Sequence, residues 1–259
     1  MKRFFILCAI VCFVLPVKVS AWNNFGHSTI ASLANRHLTQ RARTNIEKYL
    51  GGYSILSCAS WMDYNRKYPP YDFTNGWHVD YWTNENRTDK DGNPLPPASL
   101  SNVERICREM TDFREMDDST VLFNIRVLTH LVGDMHCPVH VDYPKNRPMK
   151  VKINGKNYAY HKMWDGYIMG TKHPNISPSY FAELLDNFSQ EELSIIQAGT
   201  PQEWYEQSVI AANDAMNLLP RDKVCTMENY FNEAEKIGRR QMTRAGLRLA
   251  KVLNEIFDK

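Results

Sequence analysis

The stretch THLVGDMHCPVH, Thr129–His140, combines three histidines and one aspartate with the apolar spacing of a helix. From Ser119 onward, apolar residues recur every three or four positions, which predicts a helix with one buried face. His130 and Asp134 are four residues apart, so a helix projects both side chains from one face, about 40° apart around its axis. The stretch therefore predicts a helix that packs in the core and also presents two potential metal ligands.

A break is predicted just after this helix. Pro138 has no amide hydrogen to bond back to Asp134, and it disfavours helical geometry at Cys137. His140 lies beyond that break, which can turn its imidazole inward. His136 points away from the ligand face, so we expect a structural histidine there rather than a ligand.

The segment HKMWD repeats the same spacing with His161 and Asp165. One such pair is more often a surface or capping pair, but two pairs together with a histidine after a proline favour a metal site. Zinc accepts imidazole and carboxylate ligands, and a hydrolytic zinc site leaves one position open for water. His140, His161 and Asp165 could form such a three-ligand site.

The N-terminal residues MKRFFILCAIVCFVLPVKVSA have the pattern of a secretory signal, with cleavage expected after Ala21. The alternative, an uncleaved anchor, is less favoured because the apolar run, broken by Pro16, is shorter than the ~20 residues that a span needs. We therefore expect a secreted or periplasmic protein without a membrane segment after cleavage.

Cleavage would leave 28 basic and 29 acidic residues, a net charge of −1. Without bound metals, no strongly basic surface is then available to attract nucleic acid. Four cysteines would remain, which allow three pairings if all are bridged. No CxxC pair occurs, so a zinc site built from cysteines is not expected. These cysteines are Cys58, Cys107, Cys137 and Cys225.

The remaining pattern predicts a mainly α-helical protein with a signal sequence at residues 1–21 and a single domain at 22–259. One small β-hairpin is expected around Asn154-Gly155, the strongest short hairpin signal. Other expected elements are a helix from the N-cap Thr39 to Gly51-Gly52, a third helix in ILSCASWMDYNRKYPP, a long polar loop over Thr83–Ser99, helices that begin at capping boxes at Ser189 and Thr200, and a long final helix over Met227–Phe257.

Further potential ligands lie upstream. WMD contains Asp63, GWHVDYW contains His78, and NNFGH contains His27. Cleavage after Ala21 would make Trp22 the new N-terminus, and its amine and carbonyl could chelate a metal. An α-amine is a usable ligand because its ordinary pKa is only about 7.7–8.0.

Together these motifs resemble the secreted three-zinc nucleases that prefer single strands, the family of nuclease S-one, nuclease P-one and mung bean nuclease. The resemblance implies a single helical domain of the zinc phospholipase C and P-one nuclease type. The matching pieces occur in the family's order, and they are Trp22 with His27, WMDYNR, WHVD, HLVGDMHCPVH and HKMWD.

The resemblance implies three Zn²⁺ ions, two of them close together. By family correspondence, Arg66 would contact the phosphate oxygens of the substrate, and Asp63 would also orient the attacking water. The implied ligands are Asp63, His78, His130 and Asp134 for one zinc, the Trp22 amine and carbonyl with His27 and a bridging Asp134 for its partner, and His140, His161 and Asp165 for the third.

The implied activity is hydrolysis of single-stranded DNA and RNA to 5′-phosphate products, together with 3′-nucleotidase activity, by a monomer. Three zinc ions would raise the charge from −1 to about +5 and concentrate it at the cleft. The sequence departs from the family where the base is held, because HVDYW places Val79, Asp80 and Tyr81 after the histidine. The identity of the preferred base is therefore left open.

Two alternatives belong to other functional classes. Zinc-dependent phospholipase C shares the N-terminal tryptophan and the helical fold, but the short spacing from Trp22 to His27 and an aspartate at Asp165 favour the nuclease. A non-catalytic metal-binding export protein would need closed four-ligand shells, whereas His140, His161 and Asp165 supply only three protein ligands.

Overall fold

The computed structural model describes residues 22–79, 96–141 and 149–259. It is mainly helical with one small two-stranded antiparallel sheet, which confirms the predicted fold class. The predicted signal sequence, most of the predicted polar loop, and Asp80 and Tyr81 lie outside the described residues. No helix in the described ranges is long and apolar enough to cross a membrane.

The N-terminal part begins with two helices joined by a short turn. Thr39 caps the second helix by accepting a hydrogen bond from the Ala42 amide, and Gly51 and Gly52 follow its end with φ of 66° and 88°. Both boundaries confirm the predicted signals. The elements are α1 (Asn24–Arg36), α2 (Gln40–Tyr49), a 3₁₀ turn (Ile55–Cys58), α3 (Trp61–Asn65) and a second 3₁₀ turn (Asp72–Thr74).

The predicted continuous third helix is wrong. The chain instead forms the 3₁₀ turn Ile55–Cys58 and then α3, with a non-helical residue, Ser60, between them. Ser60 donates a hydrogen bond to the Asn24 side chain at 2.9 Å, so a tertiary contact competes with helix continuation at this point. The bend leaves Asp63 in the first turn of a new short helix.

Helices α4 (Ala98–Glu109) and α5 (Asp118–Asp134) follow, with a 3₁₀ segment, Met110–Glu115, between them. Helix α4 has no counterpart among the predicted elements. Helix α5 is the predicted metal-bearing helix, and it ends at Asp134, where the Cys137 amide donates back to the Asp134 carbonyl at 2.9 Å. That ending confirms the break predicted from Pro138.

The predicted hairpin is formed by β1 (Lys150–Ile153) and β2 (Lys156–Ala159), with Val151 opposite Tyr158. Asn154 and Gly155 make the turn with φ of 49° and 74°, as the two-residue hairpin turn requires. The chain continues from β2 directly into α6 (Tyr160–Lys162), a π-helical turn (Met163–Tyr167) and α7 (Ile168–Lys172).

The C-terminal part consists of helices joined by loops. Both predicted capping boxes are confirmed, because each N-cap hydroxyl and the glutamate three residues on exchange hydrogen bonds with the backbone. The elements are α8 (Pro178–Leu185), α9 (Gln190–Gln197), α10 (Pro201–Asn217), a π-helical turn (Met227–Phe231) and α11 (Asn232–Phe257).

Helix α11 is the central packing partner of α1, which also packs against α8. Gly246 in α11 faces α1, because a Cβ there would lie 2.9 Å from the Leu33 side chain. The glycine therefore allows α1 and α11 to pack closely. Helix α5 packs against α11 as well, and this arrangement brings the ligand-bearing ends of α1 and α5 together.

Candidate metal centre

The predicted ligands converge from separate elements onto the C-terminal end of α5. Helix α1 supplies His27, α3 supplies Asp63, and α5 supplies His130 and Asp134. The turn after α5 supplies His140. The two remaining side chains, His161 in α6 and Asp165 in the π-helical turn Met163–Tyr167, face that turn.

His130 and Asp134 lie on one face of α5, as their spacing predicts. His130 Nε2 is 3.1 Å from Asp134 Oδ2, while the other ring nitrogen, Nδ1, lies 3.1 Å from the Ala59 carbonyl. Since a carbonyl can only accept, Nδ1 carries the hydrogen and donates it. The Ala59 contact therefore orients the ring so that Nε2 faces the site.

His27 and Asp63 complete this first group. His27 Nε2 lies 3.4 Å from Asp134 Oδ1 and 4.0 Å from Asp63 Oδ2, and His130 Nε2 lies 3.7 Å from Asp63 Oδ1. The His27 and His130 rings stack with centroids 3.9 Å apart. Two imidazoles and two carboxylates thus direct their polar atoms into one small buried volume.

His78 approaches this region from the loop before the undescribed segment. Its ring lies 5.7 Å from that of His140, centroid to centroid. Burial lowers the pKa of His78 well below its usual value, so the side chain is neutral near pH 7. A neutral imidazole is the form that binds metals.

The second group contains His140, His161 and Asp165. His140 Nε2 is 3.2 Å from His161 Nε2 and 3.6 Å from Asp165 Oδ1, and His161 Nε2 is 3.2 Å from Asp165 Oδ2. The Asp165 carboxylate lies within the π-helical turn Met163–Tyr167, a local geometry that often occurs at functional sites. The structure therefore brings these three predicted ligands together.

Asp134 lies between the two groups. Its Oδ1 atom is 3.4 Å from His27 Nε2 and also 3.4 Å from His140 Nδ1. Burial opposes ionisation of this carboxyl, but His130 and His140 outweigh it and hold its pKa well below the usual range. The carboxylate is therefore charged in a fully buried position, where it requires nearby positive charge.

The polar atoms of both groups are better placed to bind a cation than to form hydrogen bonds with one another. Buried atoms without a hydrogen-bond partner among the described residues cluster here, and most of them belong to predicted ligands. Such groups are costly unless an ion or water satisfies them. The atoms include both oxygens of Asp63 and Asp134, both ring nitrogens of His27, Nδ1 of His78, Nε2 of His130, Nδ1 of His140 and Oδ1 of Asp165.

Trp22 lies beside these groups. Its indole nitrogen donates to the Gly133 carbonyl at 3.1 Å, and the next amide, that of Asn23, donates to the Asp165 carbonyl at 2.6 Å. These contacts fix the main chain at Trp22 close to the end of α5. The expected role of Trp22 as a ligand depends on a free amine, which cleavage after Ala21 would create.

Arg66 caps the C-terminal end of α3 close to Asp63. Its Nε lies 3.4 Å from Asp63 Oδ1, and its Nη1 donates to Asn75 Oδ1 at 3.0 Å. The guanidinium is therefore oriented at the edge of the first group, where it could contact an anion.

His136 lies outside both groups, as predicted. Its Nδ1 donates to the Val132 carbonyl at 2.7 Å, and its Nε2 accepts from Arg248 Nη1 at 2.9 Å. Both ring nitrogens are thus used by the protein. Burial and the neighbouring Arg248 charge lower the pKa of His136 well below its usual value.

Among the described residues, Cys137 also lies near the metal groups, although the sequence did not predict a ligand there. Its sulfur lies within 4.8 Å of an imidazole nitrogen of His140 and a carboxylate oxygen of Asp165. Burial raises the pKa of the Cys137 thiol well above its usual value. The absence of a CxxC pair obscured this cysteine, but its position between two metal-binding motifs could have indicated it.

The chain also resembles known proteins. The family model for S1/P1 nuclease matches residues 22–258. Endonuclease 4 of Arabidopsis thaliana is 20% identical over 270 aligned residues, which cover 92% of this chain and 89% of the relative. Endonuclease 2 of the same plant is 20% identical over 92% of this chain and 91% of its own length. Nuclease S1 of Aspergillus oryzae is 22% identical over 56% of this chain and 53% of its own.

The family match extends over nearly all of the described chain and includes every residue of the two ligand groups. It agrees with the resemblance inferred from the motifs and with the helical fold. The chain therefore belongs to the S1/P1 nuclease family and is a phosphodiester-cleaving hydrolase of the endonuclease type.

Proposed function

We propose that residues 22–259 form a single secreted or periplasmic domain that binds three Zn²⁺ ions and hydrolyses single-stranded DNA and RNA to 5′-phosphate products. The monomeric enzyme also removes phosphate from 3′-nucleotides. The observation that carries this proposal is the Asp134 carboxylate, which is fully buried, faces imidazoles of both groups and has no hydrogen-bond partner on either oxygen among the described residues.

The ligand sets are those of the family correspondence. Asp134 would be shared by two zincs, and the group around Asp165 would hold the third. The first zinc would be held by Asp63, His78, His130 and Asp134, its partner by Trp22, His27 and Asp134, and the third by His140, His161 and Asp165.

When bound, zinc ions supply Lewis-acid activation of water and stabilise the charge that develops on the leaving oxygen. Asp63 orients the water, because its carboxylate lies at the edge of the first group. Arg66 binds a non-bridging phosphate oxygen through the guanidinium N–H groups that do not contact Asp63 or Asn75. An arginine suits this role because its planar fork of donors matches a phosphate.

Hydrolysis of a single strand also requires that the phosphate reach a buried site. The mature chain has a net charge near −1, so attraction of a polyanion depends on the bound cations rather than on a basic surface. The N-terminal signal pattern supports secretion. Removal of the signal sequence would create the Trp22 amine.

The test uses the mature protein and two variants, Asp134→Ala and Asp214→Ala. Asp214 lies on the exposed side of α10 and serves as a matched carboxylate control. We expect three zincs per mature chain by mass spectrometry, and cleavage of denatured DNA and of RNA that leaves 5′-phosphate ends. Asp134→Ala should lose zinc together with more than about a hundredfold in activity, since even neighbours of metal ligands cost 10–100-fold.

Full turnover of Asp134→Ala would refute the proposal. Phosphatidylcholine is included as a substrate, because its hydrolysis in the absence of DNA cleavage would indicate a phospholipase instead. Arg66→Ala separates chemistry from metal loading: all zinc should remain, whereas turnover should fall about a hundredfold, as it does when one donor to a developing oxyanion is removed.

A further inference from the structure

The turn after α5 places the Cys137 side chain, besides that of His140, next to the metal groups. The Cys137 amide donates to the Asp134 carbonyl at 2.9 Å, and the His140 amide donates to the Cys137 carbonyl, also at 2.9 Å. These two successive turns fix the positions of Cys137 and His140 relative to each other. Both side chains point towards Asp165, and their ligand atoms lie within 4.8 Å of its carboxylate and of one another.

The Cys137 sulfur is buried in the core but has polar neighbours. A packed cysteine usually behaves as a small apolar side chain among other apolar groups. Here the sulfur lies instead beside the carboxylate of Asp165 and the backbone amide of Val139. An amide N–H at this position would stabilise a thiolate, and a thiolate next to Asp165 would require a cation between them.

The Asp165 carboxylate has an acceptor position that the described residues do not use. Its side chain is almost completely buried, and its Oδ1 atom has no hydrogen-bond partner among them. Zinc readily binds sulfur, imidazole nitrogen and carboxylate oxygen, all of which are present here. A cation at this point would contact the unpartnered oxygen and the sulfur at the same time.

We infer that the Cys137 thiolate is a ligand of the zinc bound by His140, His161 and Asp165. This inference rests on the zinc assignment in the proposed function and adds a ligand to it. On binding, a zinc–sulfur bond forms and the thiol proton leaves to solvent, as coordinated thiols ordinarily lose theirs. The resulting shell of two imidazoles, one carboxylate and one thiolate balances the two charges of the zinc.

The fourth ligand has a consequence for this ion. Three protein ligands leave a position open, whereas four close a tetrahedral shell, and an added substrate oxygen would then make the zinc five-coordinate. A soft thiolate also favours zinc over magnesium and calcium. The Cys137 site should therefore retain zinc when those hard cations are in excess.

The test is spectroscopic and does not depend on nuclease activity. Mature protein is loaded with Co²⁺ in place of zinc, and the near-ultraviolet absorption of thiolate-to-cobalt charge transfer is recorded for the wild type, Cys137→Ser and Cys225→Ser. Cys225 is a buried cysteine close to β1 and serves as the control. We expect the band in the wild type and in Cys225→Ser, and its loss in Cys137→Ser.

X-ray absorption of the zinc-loaded wild type gives a second readout that needs no variant. We expect a sulfur neighbour at about 2.3 Å from zinc. A wild-type protein that binds three zincs and cleaves DNA, yet shows neither the cobalt band nor a sulfur neighbour, would overturn this inference and leave the proposed function standing. Failure of the proposed function would appear differently, as a chain without bound zinc or without cleavage.

Discussion

His140 Nδ1 lies 3.4 Å from Asp134 Oδ1, although a proline-broken turn separates the two residues in the chain. Burial opposes the charged form of His140, but Asp134 and Asp165 outweigh it and raise its pKa to about 10. In the protein without metal, a protonated imidazole therefore stands beside Asp134 where a cation is required. Protons and metal ions then compete for the same buried atoms.

This competition predicts opposite pH dependence for the metal-free and the zinc-loaded protein. The folded pKa of His140, about 10, exceeds its ordinary value of 6.5, so its contribution to stability is complete below pH 6.5 and is lost as pH rises towards 10. The melting temperature of the chelator-treated protein should therefore fall between pH 6.5 and 9. With zinc present it should rise, since the ligands must lose protons to bind metal.

Calorimetry of the two forms across this pH range measures the difference. His140→Gln is the informative variant, because the chelator-treated protein should then show a shallower fall in melting temperature. Identical slopes with and without zinc would contradict the assignment of His140 to the metal centre.

The ligand-bearing helix was largely predictable from the sequence. The spacing of His130 and Asp134 determines a shared face as soon as a helix forms, and a proline determines where that helix ends. The β-hairpin and the two capping boxes are local patterns of the same kind, in which residues a few positions apart satisfy one another's backbone groups.

The features that the sequence did not predict have a common physical cause, because they depend on distant partners. The predicted third helix breaks at Ser60, whose hydroxyl donates a hydrogen bond to Asn24 Oδ1 in α1. The role of Gly246 depends on Leu33, which lies far from it in sequence. Cys137 likewise becomes notable only when the π-helical turn Met163–Tyr167 brings Asp165 beside it. Neither propensity nor spacing carries information of this kind.

Gly246→Ala tests the close packing of α1 against α11. The added methyl group would lie 2.9 Å from three carbons of Leu33, so one of the helices must shift. We expect a loss of about 1–3 kcal/mol in unfolding free energy, the usual cost of an overfilled core. Chemical denaturation measures it. Gly170→Ala is the control, since a Cβ there meets nothing within 4 Å and should stabilise α7 by about 0.5–1 kcal/mol. Equal effects of both substitutions would contradict this packing role.

Arg248 supports the turn that carries His140. It donates to the Ile196 carbonyl at 2.9 Å, to His136 Nε2 at 2.9 Å and to Gln207 Oε1 at 2.5 Å. Arg248→Met keeps the apolar stem but leaves these acceptors unpaired, so we expect a loss of about 1–3 kcal/mol. Thermal unfolding measures this loss.

The exposed Arg41 provides the matched control for that substitution, and Arg41→Met should change stability by less than about 0.5 kcal/mol. Because His136 lies between Asp134 and His140 in the chain, Arg248→Met should also release zinc faster to a chelator. An unchanged melting temperature and release rate would show that the Arg248 contacts do not support the turn.

The N-terminus gives the most direct test of the ligand set. If the Trp22 amine binds zinc, then one additional residue before Trp22 converts that amine into an amide, which has no free electron pair for the metal. A mature protein with one alanine added at its N-terminus should therefore bind two zincs instead of three and lose most of its activity. The same alanine added after Lys259 should change neither the zinc count nor turnover, because it lies at the other end of the chain. Three zincs and full turnover in the N-terminally extended protein would remove Trp22 from the ligand set while leaving the His140 group untouched.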